Sequence, residues 1–259
     1  MGLMTAHAQN DELLIITYGD SITAGLIQTI DDNESAECPS GVALQPSISG
    51  SGNLRCFGNG AEGVGGYQPI LRSSLEEIGY DVSIYNYGIS GANVVTDLLD
   101  DVNSVLAQRE LSQYVLFMGG INDAFDGISP STVELFYEAT VERICLFEMI
   151  PVITSVTRHL SNGAVNDMAR EYTDEIEQIG TPDACANRGI DVLLADQREV
   201  VNSGSDYGPD GLHLTERGNE DMAEEWFRVL DLPSLIEPEP EPEPDFSYLP
   251  AIISLLLGN

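Results

Sequence analysis

Residues 13–25 read LLIITYGDSITAG. The first six of them form a short, mainly apolar run, which is typical of a strand buried on both faces of a parallel sheet. The run ends in a small polar turn, Gly19-Asp20-Ser21. In α/β proteins, ligands bind beyond the carboxyl ends of the strands. We therefore expect Ser21 at the edge of the sheet where such proteins carry their functional groups.

Four more strand patterns follow the first, and helical patterns separate them. Strands are predicted over 13–18, 81–87, 114–118, 151–156 and 190–195, and helices over 68–78, 94–109, 131–149, 164–179 and 215–230. Strands that alternate with helices of this length indicate a parallel sheet with helices on both faces. The sequence predicts a three-layer α/β/α sandwich around a central, mostly parallel, five-stranded sheet.

The charge of the chain excludes several classes of function. Its 259 residues include 43 acidic and 10 basic side chains, which gives a formal net charge of −33, and every basic residue is an arginine. Without lysine there is no Walker A loop and no pyridoxal-phosphate Schiff base. A protein with this net negative charge repels phosphate backbones, which argues against nucleic-acid binding. The acidity fits life in high salt, although a mildly acidic protein of ordinary habitats remains the alternative.

The composition divides the chain into a body and two ends. Residues 1–8 end in Ala-His-Ala, which resembles a signal-peptidase site, so we expect a signal-peptide remnant there; a disordered cytosolic N-terminus is the alternative. The body covers 9–232 and contains an insertion over 26–66, rich in Gly and Ser. Residues 233–259 contain a Glu-Pro repeat and a short apolar tail of unknown partner. No apolar run is long enough for a transmembrane segment.

The four cysteines favour export. They show no C-x-x-C spacing, so a zinc ribbon or a thioredoxin-type site has no support. Two disulfides in an oxidising compartment are expected, with the pairs Cys38–Cys56 and Cys145–Cys185 favoured among three possible pairings. We therefore expect a secreted or periplasmic protein.

Small polar turns also follow the second and third predicted strands, and a fourth precedes the last helix. They read NYGISGAN at 86–93, GGIND at 119–123 and DGLH at 210–213. Together with Ser21 they supply what acyl transfer needs: a nucleophile, a base, a carboxylate that orients the base, and donors for an oxyanion. The turn residues Asp20 and Asp123 are expected to brace their turns, and both are also candidate substrate contacts.

Only one of the three histidines has an acid close by in sequence. His7 lies in the processed end, and His159 follows the fourth strand without a neighbouring carboxylate. His213 lies three residues after Asp210, at which distance a carboxylate can fix the imidazole tautomer and stabilise the imidazolium. His213 is therefore the candidate base, and His159 is a rim residue or a substrate contact.

The four motifs GDSITAG, NYGISG, GIND and DGLH, in this order, resemble blocks I, II, III and V of the GDSL or SGNH hydrolase superfamily. The resemblance covers about residues 12–230 and implies a flavodoxin-like SGNH hydrolase fold. It implies the following site: nucleophile Ser21, base His213, orienting acid Asp210, and oxyanion donors Ser21, Gly91 and Asn122. Ile22 replaces the leucine of block I, an apolar exchange that leaves the chemistry unchanged.

The sequence thus predicts a serine esterase for carboxyl esters of modest size, with no cofactor and no metal. Gly58–Gly63 fits G-x-G-x-x-G, but it follows a cysteine-bearing segment and not an apolar strand pattern, so a dinucleotide site is not expected. The expected partner is a small ester or an acylated carbohydrate. Alternatives are a carbohydrate O-acetyl esterase, a lipase or lysophospholipase, and a non-catalytic carbohydrate-binding relative.

Overall fold

The computed structural model describes residues 12–26, 43–46, 54–58, 60–63 and 65–235, with the backbone alone for 43–46 and 54–57. The signal-peptide remnant at 1–8 and most of the Glu-Pro segment and tail lie outside these residues. So does Cys38, and with it the proposed Cys38–Cys56 bond.

The described residues contain eight strands. In chain order these are β1 (Leu13–Gly19), β2 (Ala43–Pro46), β3 (Leu54–Phe57), β4 (Ala61–Glu62), β5 (Val82–Gly88), β6 (Tyr114–Met118), β7 (Ile150–Thr154) and β8 (Leu193–Ala195). Six of them form one sheet in the order β4-β5-β1-β6-β7-β8. All neighbours in it are parallel except β4, which pairs antiparallel with β5. The predicted mostly parallel sheet is confirmed, and its five parallel strands have the flavodoxin-like order 2-1-3-4-5.

The helices begin and end close to where the sequence places them. They are α1 (Gln68–Glu77), a π-helical turn (Val94–Leu98) that continues into α2 (Leu99–Ala107), α3 (Ile121–Asp126), α4 (Pro130–Leu146), α5 (Gly163–Ile176), α6 (Asp183–Ala186), α7 (Gln197–Val200) and α8 (Glu216–Leu230). Ser129 caps α4 and Thr215 caps α8, each by accepting a hydrogen bond from a backbone N–H of the first turn. The short helices α3, α6 and α7 were not predicted.

Alternate residues of the central strands face opposite helical layers. Ile16 and Phe117 are buried in a core that includes residues of α2, α4 and α5, whereas their neighbours Ile15 and Leu116 belong to a second core with α1 and α8. Both faces of the central strands β1 and β6 are thus removed from water, which explains the uninterrupted apolar runs of the sequence. The arrangement is the predicted three-layer sandwich.

The structure corrects the sequence-based prediction in the region of the insertion. The sheet has six strands instead of five, because Ala61–Glu62 pairs with the edge of β5, and β2 and β3 form a separate antiparallel pair within 26–66. A two-residue strand is too short to show any periodicity, and the hairpin strands have only four residues each. Local pattern therefore could not separate them from loop.

A disulfide joins Cys145 near the end of α4 to Cys185 in α6, across 40 residues of sequence. Both cysteines are fully buried. Within the part of the chain that the structure describes, no helix is long and apolar enough to cross a bilayer.

Candidate active site

The turn after β1 presents Ser21 at the carboxyl end of the central strand. Gly19 lies so close to β6 that a Cβ on it would be 2.1 Å from the carbonyl oxygen of Met118, so only glycine fits at this position. The Gln68 side chain, at the start of α1, donates a hydrogen bond of 2.6 Å to the carbonyl oxygen of Thr23. The turn that carries Ser21 is therefore held from two sides.

The candidate base His213 and its candidate orienting acid Asp210 lie in a turn just before α8. Backbone hydrogen bonds close this turn, with Gly208 N–H donating to the carbonyl of His213 at 2.8 Å, and Gly211 adopts a positive φ of 69°. One carboxylate oxygen of Asp210 accepts from the backbone N–H groups of Leu212 and His213 at 2.9 and 3.0 Å. These bonds leave the second oxygen directed at the imidazole.

Asp210, His213 and Ser21 form one row of hydrogen bonds. The distance from Asp210 Oδ2 to His213 Nδ1 is 2.6 Å, and that from His213 Nε2 to Ser21 Oγ is 3.0 Å. Burial by itself raises the pKa of Asp210, but the hydrogen bonds from His213 and Leu212 outweigh it and hold this pKa below its ordinary value. Asp210 is thus a carboxylate at neutral pH, which favours a proton on Nδ1 and a free lone pair on Nε2 for the Ser21 hydroxyl.

The two expected oxyanion donors follow the strands on either side of β1. Gly19 is paired in register with Gly88 of β5 and Met118 of β6, so the segments beyond these residues meet at one edge. Gly91 has a positive φ of 71° in the turn after β5, and Asn122 lies in the first turn of α3. The amide of Asn122 donates one hydrogen bond to the carbonyl of Ala92 at 2.9 Å, and its NH₂ group has a second N–H to offer.

Gly91 and Asn122 line a common cavity of about 430 Å³, whose other walls are mainly polar. The lining consists of Gly91, Asn93, Thr96, Asp97, Asn122, Phe125 and Asp126. Asp126 accepts a 2.6 Å hydrogen bond from the Asn93 amide, which joins the two sides of the cavity. A small ester group has room here.

Asp20 and Asp123 are buried, so they do not fit the substrate contacts expected from the sequence. Asp20 is 1% exposed and accepts from the backbone N–H of Ile22 at 3.0 Å. Asp123 is fully buried and accepts from the backbone N–H groups of Val94 and Val95. Their geometry is that of braces within and between the turns. Burial raises the pKa of Asp20 to about 6, against the hydrogen bond from Ile22 and the nearby His213.

His159 lies against the Asp210 turn and not on the outer surface. Its ring meets Phe125 edge to face with centroids 5.1 Å apart, and its Nδ1 is 3.3 Å from Ser161 Oγ. The Ser161 hydroxyl in turn donates to the carbonyl of Asp210 at 2.8 Å. Sequence reasoning missed Gln68, Phe125 and Ser161, since their contacts join distant segments and no local motif signals them. Among the residues described, no three metal-ligating side chains converge.

A parallel α/β sheet that carries a serine, an imidazole and a carboxylate in one row beyond its carboxyl ends defines a class, the hydrolases. The chain belongs to the GDSL-like lipase/acylhydrolase family, whose model matches residues 17–220. No curated protein matches the chain in sequence.

Solved structures of esterases share the fold. The aryl esterase of M. smegmatis is 16% identical with a TM-score of 0.58, and the match covers 84% of this chain and 99% of the esterase. A carbohydrate acetylesterase from Sinorhizobium meliloti is 12% identical with a TM-score of 0.60, covering 84% and 98%. The family 3 carbohydrate esterase of Clostridium thermocellum is 16% identical with a TM-score of 0.57, covering 85% and 95%. At these identities the likeness concerns the fold.

Proposed function

We propose that this protein is a serine esterase that cleaves carboxyl esters of modest size through an acyl-enzyme on Ser21. The observation that carries the proposal is the row of two hydrogen bonds from Asp210 through His213 to Ser21, at 2.6 and 3.0 Å. Such a row lets the imidazole take the serine proton as the hydroxyl oxygen attacks a carbonyl carbon.

In the first half of the reaction, Ser21 Oγ bonds to the ester carbon and its proton moves to His213 Nε2. The Asp210 carboxylate stabilises the imidazolium that results. The negative oxygen of the tetrahedral intermediate is stabilised by the backbone N–H groups of Ser21 and Gly91 and by the amide of Asn122. When the bond to the leaving oxygen breaks, His213 returns the proton to that oxygen, and the alcohol departs.

In the second half, a water molecule gives a proton to His213 Nε2 and attacks the acyl carbon. The intermediate collapses, Ser21 Oγ leaves and regains the proton from His213, and the free acid is released. The cavity beside Gly91 and Asn122 supports a short acyl or alcohol group, because its volume is about 430 Å³.

A second candidate is a carbohydrate O-acetyl esterase. Amide, hydroxyl and carboxylate groups line the cavity, and such groups suit a hydroxylated substrate. Two of the similar structures are carbohydrate esterases by name. The carboxylates of Asp97 and Asp126 in the same cavity disfavour a phosphate head group, which argues against a lysophospholipase. The same residues would also suit a non-catalytic carbohydrate-binding relative. Measured ester turnover would exclude that alternative.

The buried disulfide between Cys145 and Cys185 supports an oxidising compartment. We therefore propose that the protein acts outside the cytoplasm, in the periplasm or secreted.

The decisive experiment is release of p-nitrophenol from its acetate by the wild type and by Ser21→Ala. We expect kcat to fall by at least about 10⁴-fold in Ser21→Ala, because the nucleophile is lost. The exposed Ser131 on α4 offers a matched control, and Ser131→Ala should retain the wild-type rate. An organophosphonate should also add its mass to the peptide that contains Ser21. Wild-type turnover by Ser21→Ala would disprove the mechanism.

A further inference from the structure

His159 is nearly buried, yet among the described residues only one of its two ring nitrogens has a hydrogen-bond partner. The residue is 7% exposed and lies in the segment between β7 and α5. Its Nδ1 faces Ser161 Oγ at 3.3 Å. Within the residues that the structure describes, no hydrogen bond to Nε2 is formed. Nε2 is not among the buried and unpaired side-chain atoms of the described residues, so it is open to a ligand that donates a hydrogen bond.

The hydrogen bonds of Ser161 fix the tautomer of His159. A serine hydroxyl has one proton, and that of Ser161 is donated to the carbonyl oxygen of Asp210 at 2.8 Å. The contact between Ser161 Oγ and His159 Nδ1 therefore needs its proton from the imidazole. With the proton on Nδ1, the neutral ring carries a lone pair on Nε2 and acts there as an acceptor. Burial lowers the pKa of His159, which favours the neutral ring.

His159 lies on the side of the site where the leaving alcohol must be. The leaving oxygen has to receive its proton from His213 Nε2, so the alcohol lies next to the turn of Asp210 and His213. The segment with His159 is fastened to that turn by two hydrogen bonds: Leu160 N–H donates to the carbonyl of Gly211 at 2.8 Å, and Ser161 Oγ donates to that of Asp210. His159 therefore belongs to the leaving-group side.

Phe125 connects His159 with the oxyanion side. Its side chain contacts the His159 ring with centroids 5.1 Å apart, and the same residue lines the cavity of Gly91 and Asn122. Phe125 is 45% exposed, so an aromatic face remains open beside the histidine. An aromatic surface next to a hydrogen-bond acceptor suits a molecule with C–H groups and hydroxyl groups on neighbouring carbons.

We propose that His159 recognises the alcohol part of the substrate, with Nε2 accepting a hydrogen bond from a hydroxyl group on the carbon next to the ester-bearing carbon. The substrate class is then the partially acylated polyols, such as esters of glycerol or of sugars. This inference rests on the proposed function. It adds that the enzyme recognises the alcohol half of the ester, and that Nε2 of His159 makes the contact.

A pair of esters of equal size tests the inference. In 2-hydroxyethyl acetate a hydroxyl group replaces the terminal methyl group of propyl acetate. The quantity to measure is the ratio of kcat/KM for the two esters, in the wild type, in His159→Asn and in His159→Gln. Asparagine places its NH₂ near the position of Nδ1 and has nothing at Nε2, whereas glutamine places an amide near Nε2. Comparing variants with the wild type removes the difference in intrinsic reactivity between the esters.

We expect the ratio to fall by about 3- to 10-fold in His159→Asn and to be largely kept in His159→Gln, with the change mainly in KM for 2-hydroxyethyl acetate. An unchanged ratio in His159→Asn would overturn the inference. So would an equal loss of activity on both esters in both variants, which a purely structural role produces. If the wild type cleaves neither ester nor p-nitrophenyl acetate, the proposed function itself fails. Circular dichroism and thermal melting verify that each variant is folded.

Discussion

Asp123 and Val94 are joined by a hydrogen bond of 2.9 Å, from the backbone N–H of Val94 to Oδ2 of the buried carboxyl group. Asp123 follows Asn122, and Val94 comes three residues after Gly91, so this one contact sets the distance between the two segments that carry the proposed oxyanion donors. The second carboxylate oxygen accepts from Val95 at 3.2 Å.

Removing this carboxylate should therefore harm both stability and catalysis. In Asp123→Ala two N–H groups at the start of the π-helical turn lose their acceptor, and we expect the free energy of unfolding to fall by about 2 kcal/mol or more. The rate kcat should fall as well, with less effect on KM. Chemical denaturation and ester turnover measure the two quantities. Glu110→Ala removes one negative charge from an exposed position just after the neighbouring helix α2 and should change neither. Loss of stability at full kcat would separate Asp123 from the oxyanion donors.

Within the proposed triad, the acid should matter less than the base. His213 exchanges the proton with substrate, whereas Asp210 acts through His213, so we expect kcat to fall by about 10⁶-fold in His213→Ala and about 10⁴-fold in Asp210→Ala. Steady-state kinetics on p-nitrophenyl acetate give both numbers. Asp191→Ala, at an exposed position, serves as the control for loss of one negative charge. Equal rates for Asp210→Ala and the wild type would remove Asp210 from the mechanism.

The sequence predicts those residues of the proposed site that lie in short, continuous motifs. Ser21, Gly91 and Asn122 each lie within four residues of a strand end, and Asp210 and His213 share one turn, so short motifs contain all of them. The contacts that hold them in place are different. The bond from Gln68 to Thr23 spans 45 residues and that from Ser161 to Asp210 spans 49, and only the folded chain brings such pairs together.

The strands, too, have features that the local sequence predicts and features that depend on distant segments. Long strands such as Tyr114–Met118 begin and end where the apolar run predicts, because burial on both faces excludes polar residues. The predicted strand 190–195 is shorter in the structure, Leu193–Ala195, because residues 190–192 have no partner in the ladder with β7. Whether a residue pairs depends on the adjacent strand, which a single segment does not reveal.

The pKa of Asp20 gives a stability profile with a defined sign. Burial raises this pKa from 3.8 to about 6, so the folded protein holds the proton more tightly than the unfolded chain. The favourable contribution of the protonated group is complete below pH 4 and is lost as the pH rises through 6. Asp20→Asn keeps an acceptor for the Ile22 N–H and never ionises. We therefore expect the variant to gain stability over the wild type between pH 4 and pH 7, by up to about 3 kcal/mol.

The measurement is urea denaturation of both proteins at several pH values, with the difference at pH 4 as the internal reference. A difference that stays constant from pH 4 to pH 7 would show that Asp20 has an ordinary pKa.

Salt should stabilise the fold. The formal net charge is −33, and acids crowd one another locally: burial first, then Asp100 and Asp97, raise the pKa of Asp101. Screening of this repulsion should increase the melting temperature by about 5 °C or more between 0.05 and 1 M NaCl. The steepest change is expected below about 0.3 M, where the Debye length shortens fastest. A melting temperature that stays constant or falls as the NaCl concentration rises would refute a high-salt adaptation.

The hydrogen bond between Ser21 and His213 spans 192 residues of sequence. During synthesis Ser21 is therefore made long before His213, and a chain that stops short of residue 213 has the proposed nucleophile without its proposed base. The segment that carries His213 also contacts the rest of the fold through Tyr207, whose hydroxyl accepts a hydrogen bond of 3.0 Å from the backbone N–H of Arg158. In a refolding experiment, ester cleavage would return only after this last segment has docked, later than the helical signal. Under the proposed function, ester cleavage therefore reports the fully folded protein. Partly folded chains would not cleave the ester, so activity would distinguish them from the native state.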